Sequence, residues 1–142
     1  MMTNAAKSGV FLLGGDLSIR RLVFGAMRVT GQNIWGYPPN LKDLYNISHR
    51  NSESVLQYCE KKQLGFIPWY PLGSGDLVEP GGKLERVAKA KGVPPVQIAL
   101  AWLLKHSPVM LPIPGTSSVK HLEENIDSVA IELTDEELSQ LA

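Results

Sequence analysis

The run Ile113-Pro114-Gly115-Thr116-Ser117-Ser118 leads straight into a helical pattern, and its residue types could do chemistry. Backbone N–H groups at a helix start lack intrahelical partners. Here they would meet small hydroxyls at the positive end of the helix dipole, an arrangement that suits a phosphate. Ser117 or Ser118 would serve equally well as a plain N-cap. The second locus is Trp69-Tyr70-Pro71-Leu72-Gly73-Ser74-Gly75, aromatic rings at the end of an apolar run followed by glycines. An indole can stack on a planar ring, and Gly73 and Gly75 would let backbone approach a pyrophosphate. The alternative is a pair of aromatics that plug the mouth of the fold. Gly73-Ser74-Gly75 is not a Rossmann fingerprint, because Val78 stands at the third glycine position.

Other reactive residue types are scattered. His49, His106 and His121 have no carboxylate or cysteine at ligand spacing, so no metal site is expected. Cys59 and Trp102 read as core residues. Glu53, Glu60, Lys61 and Lys62 read as a solvated helix face. No Ser-His-Asp order and no glycine-rich Lys-Ser/Thr loop occurs.

The elements that must position these residues alternate between strand and helix. Val10–Leu13 and Leu17–Ile19 flank Gly14-Gly15-Asp16 as a hairpin. Leu22–Met27 has strand character, and Thr30–Asn40 reads as a loop with its Pro38-Pro39 pair. Ser52–Gln63 reads as a helix with Val55, Leu56 and Cys59 inward and Gly65 as its stop. Phe66–Tyr70 and Val109–Ile113 are continuous apolar runs, the pattern of parallel strands covered on both faces. Between them lie two helices, Lys83–Ala90 and one opening at Pro94-Pro95. A stripe of Val119, Leu122, Ile126 and Val129 follows, then a capping box of Thr134 and Glu137 with a Leu133–Leu138 staple. This alternation argues for parallel α/β architecture.

Composition bounds the partners. The 142 residues are 44% hydrophobic and 20% charged, with fourteen basic and fourteen acidic side chains. A net charge of zero gives no electrostatic reason to expect nucleic acid or anionic membrane. No apolar run approaches the ~20 residues that span a bilayer. The stretch Met1–Gly9 lacks the apolar core of a secretion signal, and the single cysteine excludes an internal disulfide. A cytoplasmic protein is expected, and the Asn46-Ile47-Ser48 sequon is given no weight.

From about Leu44 to Ala142 these residues resemble the aldo-keto reductases, most specifically over Leu111–Asn125. Leu13–Trp35 is similar to the family's opening, a hairpin below the barrel and the first barrel strand. The resemblance implies a partial (β/α)8 TIM barrel with an N-terminal β-hairpin, where a full barrel takes ~250 residues. Residues 1–142 would form one incomplete domain, with 1–40 supplying hairpin and first strand and 44–142 the later part of the barrel. The family transfers hydride from a nicotinamide to an aldehyde or ketone. Its tyrosine acid, with lysine, histidine and aspartate in support, belongs to a segment with no match here. Lys42 and Asp43 stand where the family grips the carboxamide.

The resemblance also implies NADP(H) as cofactor, with NAD an alternative. Trp69 would stack on the nicotinamide, and Tyr70, Leu72, Gly73 and Ser74 would embrace the pyrophosphate. Gly115, Thr116, Ser117, Ser118 and His121 would hold the 2′-phosphate, and Glu124 and Asn125 the adenine. Many relatives have lysine at Gly115 and arginine at His121, so Lys120 would have to supply charge. An impaired reductase is thus expected, or else a non-catalytic remnant that binds a nucleotide or partner. Exposed barrel edges would favour self-association.

Overall fold

β1 (Val10–Leu13) and β2 (Leu17–Arg20) pair antiparallel with Phe11 opposite Ile19, so the hairpin forms as expected. The computed structural model describes residues 5–13, 15–22, 45–73, 77 and 80–141. The expected first barrel strand, the Thr30–Asn40 loop and the join near Asn40–Leu44 lie outside those residues, save Leu22. Phe11 turns inward and Leu12 and Leu13 outward. The hairpin is tied to the rest by Arg21, whose Nη2 donates to the Leu104 and Ser107 carbonyls at 2.7 and 2.6 Å. Those carbonyls close the end of a long helix, where backbone acceptors otherwise go unpaired.

That helix is α3 (Pro95–His106), and it is the centre of the molecule. Pro95 occupies the first turn, where its missing N–H costs nothing. Gln97 through Leu103 are all buried, so α3 is covered on every side. It packs against α2 (Lys83–Lys91) and α4 (Val119–Asp127). Gln97, the polar member of the buried run, donates from Nε2 to the Glu124 carbonyl at 2.8 Å. α2 buries Leu84, Val87 and Ala88 and ends at Gly92 in the left-handed conformation, both as expected.

Several expectations are corrected. α1 (Glu53–Lys62) stops at Gln63, which takes φ 53° and ψ 39° itself, not at Gly65. Gly65 instead lies close against the core: a Cβ there would lie 2.6 Å from Leu111 Cδ1, so the Leu111 side chain would have to shift. Val55 points outward, leaving Leu56 as the buried residue of α1. Val119 is 73% exposed and lies off the inner face of α4. Glu53 is not part of a solvated face, because it meets Tyr45 and His106.

The apolar runs 66–70 and 109–113 are parallel neighbours but meet at one bridge, Phe66 with Met110. Phe66 N–H donates to Val109 and Leu111 N–H to Phe66, each at 2.8 Å. Only one face of the first run is covered: Pro68 is buried, while Ile67 and Trp69 are 58% and 56% exposed. β3 (Tyr45–Asn46) folds back on β4 (His49–Arg50) as a tight antiparallel pair. Among the described residues there is thus no closed barrel.

α5 (Asp135–Leu141) starts with the expected reciprocal cap. Thr134 N–H donates to Glu137 Oε2 at 2.8 Å, and Glu137 N–H to Thr134 Oγ1 at 3.2 Å. Thr134→Ala is expected to cost about 1 kcal/mol in urea unfolding. The Thr134 backbone bond, then the Lys91 ammonium at 2.9 Å, hold the Glu137 carboxyl below its usual value of 4.5. A depressed folded-state pKa gives stability that is full above the unfolded value and lost as pH falls through the folded one. Glu137→Gln should flatten that acid limb of the unfolding curve; an unchanged pH profile would show the carboxylate to be idle.

Candidate functional site

Parallel pairing of Phe66 with Met110 means that the loops following both runs leave from the same edge. The Trp69–Gly73 loop and the Gly115–Ser118 turn therefore both follow the carboxyl ends of these runs, the side on which ligands of α/β folds sit.

The first loop is built on two backbone anchors. Tyr45 N–H donates to the Trp69 carbonyl at 2.9 Å, and Asn46 Nδ2 donates to the Tyr70 carbonyl at 3.1 Å. Gly73 N–H adds a second bond to the Tyr70 carbonyl, also 3.1 Å. These bonds hold Tyr70 at φ 62°, a left-handed conformation that a residue with a side chain rarely keeps. Gly73 is left-handed too, and a Cβ there would meet Leu77 Cγ at 2.9 Å. Leu72 is half-buried against the core, and Trp69 offers its ring to solvent. Ser74 lies outside the described residues.

The second turn spends two of its three hydroxyls locally. Thr116 Oγ1 accepts from Ser118 N–H at 3.1 Å, and Ser118 Oγ accepts from His121 N–H at 3.4 Å. Ser118 is thus the N-cap of α4. Helix geometry leaves the N–H groups of Val119 and Lys120 without intrahelical acceptors, beside the exposed Gly115 and Ser117. Charge is modest: the His121 side chain is exposed, and the exposed Lys120 ammonium sits 3.8 Å from Glu124. Glu124 is half-buried, and Asn125 is buried with its carbonyl accepting from Ser128 Oγ at 2.6 Å. An anion would find backbone donors, one free-standing hydroxyl at Ser117 and a cation already shared with a carboxylate.

A polar array behind the first loop was not foreseen. Tyr45 is fully buried and donates its hydroxyl to Glu53 Oε2 at 2.6 Å, while Glu53 Oε1 lies 3.2 Å from His106 Nε2. His106 stacks on Trp102 with ring centroids 4.5 Å apart, and the Arg50 guanidinium covers the same indole at 4.8 Å. Burial, and then the bond to Glu53, push the Tyr45 hydroxyl well above its ordinary pKa. The signal that could have found the array is Glu53 itself, an acid at the first turn of α1 eight residues from an aromatic hydroxyl.

Among the described residues, no group of three or more His, Cys, Asp and Glu could hold a metal ion. No helix there is long and apolar enough to cross a membrane. A cavity of about 160 Å³ is lined by Ile47, Ser48, Leu77, Lys83 and Leu141 among others, none of them a cofactor candidate.

The chain belongs to the aldo/keto reductase family, whose model matches residues 39–142. An uncharacterized oxidoreductase of Schizosaccharomyces pombe is 51% identical over 102 residues, covering 72% of this chain and 33% of the relative. Pyridoxine 4-dehydrogenase of Escherichia coli is 41% identical over 97 residues, covering 68% and 34%. An aldo/keto reductase of Klebsiella pneumoniae, solved with NADP and acetate, superposes with a TM-score of 0.62 at 30% identity. That match covers 69% of this chain and 36% of the other. The chain spans about one-third of the length of these curated relatives.

Proposed function

We propose that this chain is the cofactor-facing part of an NADP(H)-dependent aldo/keto reductase, which holds the dinucleotide but does not itself reduce carbonyl compounds. The observation that carries this reading is the parallel Phe66–Met110 pairing, which brings the aromatic–glycine loop and the hydroxyl turn to one edge. Relatives of known structure at 30% identity carry NADP or NADPH. The residues present fit such a group. Trp69 has an open ring face for the nicotinamide, and the left-handed Gly73 keeps the loop clear for a pyrophosphate. Ser117 and the α4 N-terminus offer donors to the 2′-phosphate, beside the exposed His121. Glu124 and Asn125 would border the adenine. When bound, the cofactor supplies a hydride; this chain's residues bind and orient it.

By the resemblance, the family's tyrosine acid, with its lysine, histidine and aspartate, would belong to a segment unmatched here, which is why chemistry is not proposed for this chain. The lone Cys59 suits a reducing cytoplasmic setting. The exposed face at Ile67 and Ile113 is read as a surface that pairs with a second copy of the chain.

Binding is expected to be weak, near the millimolar level equivalent to ~4 kcal/mol. The turn offers neutral donors and a shared lysine, not a dedicated cation. In calorimetric titrations, Ser117→Ala and His121→Ala should weaken NADP more than NAD, since only NADP carries the extra phosphate. Equal losses for both nucleotides would reduce the turn to a helix cap.

A further inference from the structure

Trp69 is more than half exposed, so its backbone, more than packing, sets where the indole points. That backbone precedes a left-handed Tyr70, a conformation kept only where the surroundings impose it. Two donors that hold it from outside the loop, Tyr45 N–H and Asn46 Nδ2, both belong to β3. A two-residue strand is too short to hold itself, and its paired neighbour β4 is equally short. It is held by Asn46 Oδ1, which accepts from Ser48 and His49 N–H at 3.0 Å, and by the Tyr45 ring, wedged edge-on against Phe66 with centroids 5.1 Å apart and tied by its hydroxyl to Glu53. Glu53 in turn reaches His106, stacked on Trp102 within the buried helix α3.

We propose that Glu53 is a positioning residue: by tying Tyr45 to α3 it fixes the Trp69–Tyr70 backbone, and with it the indole on which the nicotinamide of NADP(H) stacks. This role deepens the cofactor reading above and rests on it for its functional meaning. The competing explanation is that Glu53, in the first turn of α1, only complements that helix's dipole. A helix-dipole role would change stability and leave Trp69 where it is.

The test uses the whole chain labelled with 5-fluorotryptophan. Its three tryptophans give three fluorine signals, with Trp69 assigned through Trp69→Phe. Glu53→Ala and Tyr45→Phe should each move and broaden the Trp69 signal in nucleotide-free protein. They should also cut the initial slope of an NADP⁺ titration about tenfold, the size of one charge-assisted hydrogen bond. Glu53→Gln should keep the wild-type signal, because the amide oxygen can still accept from the Tyr45 hydroxyl. A Trp69 signal unmoved in both disruptive variants, or Glu53→Gln as disruptive as Glu53→Ala, would overturn the proposal. If Glu53→Ala fails to fold, Tyr45→Phe, which removes one hydroxyl and no packing, gives the same answer. Wild-type protein indifferent to NADP⁺ would count against the cofactor reading alone, since the nucleotide-free spectra still decide the role of Glu53.

Discussion

NADPH mixed with the 142-residue chain and a panel of aldehydes is expected to be consumed no faster than in buffer. A tyrosine that acts as general acid must have its pKa brought down toward the working pH, and such an acid is worth roughly 10²–10⁴-fold. The described tyrosines do not meet that demand. Tyr45 is buried, spends its proton on Glu53 and is shifted upward, in the wrong direction. Tyr58 sits exposed on α1, remote in sequence from either cofactor loop. Tyr70 is held by its backbone in a left-handed turn that serves the loop's shape. Hydride transfer also needs the carbonyl held against the nicotinamide, and well-oriented pairs gain roughly 7–11 kcal/mol from that alone. The described tyrosines supply neither contribution, so activity is expected to be lost within the assay. The absorbance of reduced nicotinamide follows the reaction. Consumption that scales with protein and co-elutes with it on a sizing column would sink this expectation.

How much of this could be read from sequence depended on whether the cause was local. The capping box at Thr134 and Glu137, the glycine stop after α2 and the proline start of α3 all arise within four residues, and all three form. The hydroxyl turn was legible for the same reason: Ser118 precedes α4 and caps it. What failed was non-local. Phe66–Tyr70 has the apolar run of a doubly covered strand, yet cover depends on what lies opposite, and Ile67 and Trp69 remain exposed. Glu53 shows only a charge at a helix start; its partners stand at Tyr45 and His106, and the fold alone brings the latter near. Gln63 as the helix stop went unseen because a glycine two residues later offered the cheaper left-handed residue. That glycine instead lies close against Leu111, a contact invisible to any local rule.

Size-exclusion chromatography with light scattering is expected to report a mass of two or more chains. The reason is the apolar side chains left exposed along the parallel pair. In the first run Pro68 is buried while Ile67 and Trp69 are exposed; in the second, Val109 to Pro112 are buried and Ile113 is exposed. In a closed barrel every strand is paired on both sides and the face exposed here is filled by side chains from the other strands. Among the described residues the pairing stops at a single bridge. Apolar side chains left exposed beside a strand pair invite another chain, and each such side chain gains ~1.5–3 kcal/mol when covered. A second copy is the occupant that matches by construction, because it carries the same parallel edges and the same apolar residues, and because zero net charge offers no repulsion. Ile67→Lys with Ile113→Lys places two charges on that face and leaves Trp69 and both cofactor loops intact. The double variant should run as a monomer while retaining the wild-type helical signal in circular dichroism. If the unaltered chain is itself a sharply melting monomer, the exposed face is tolerated in water and self-association is wrong. If the double variant associates as strongly as the wild type, the contact lies elsewhere, and the outward faces of the β1–β2 hairpin, with Val10, Leu12 and Leu17 exposed, become the surface to alter.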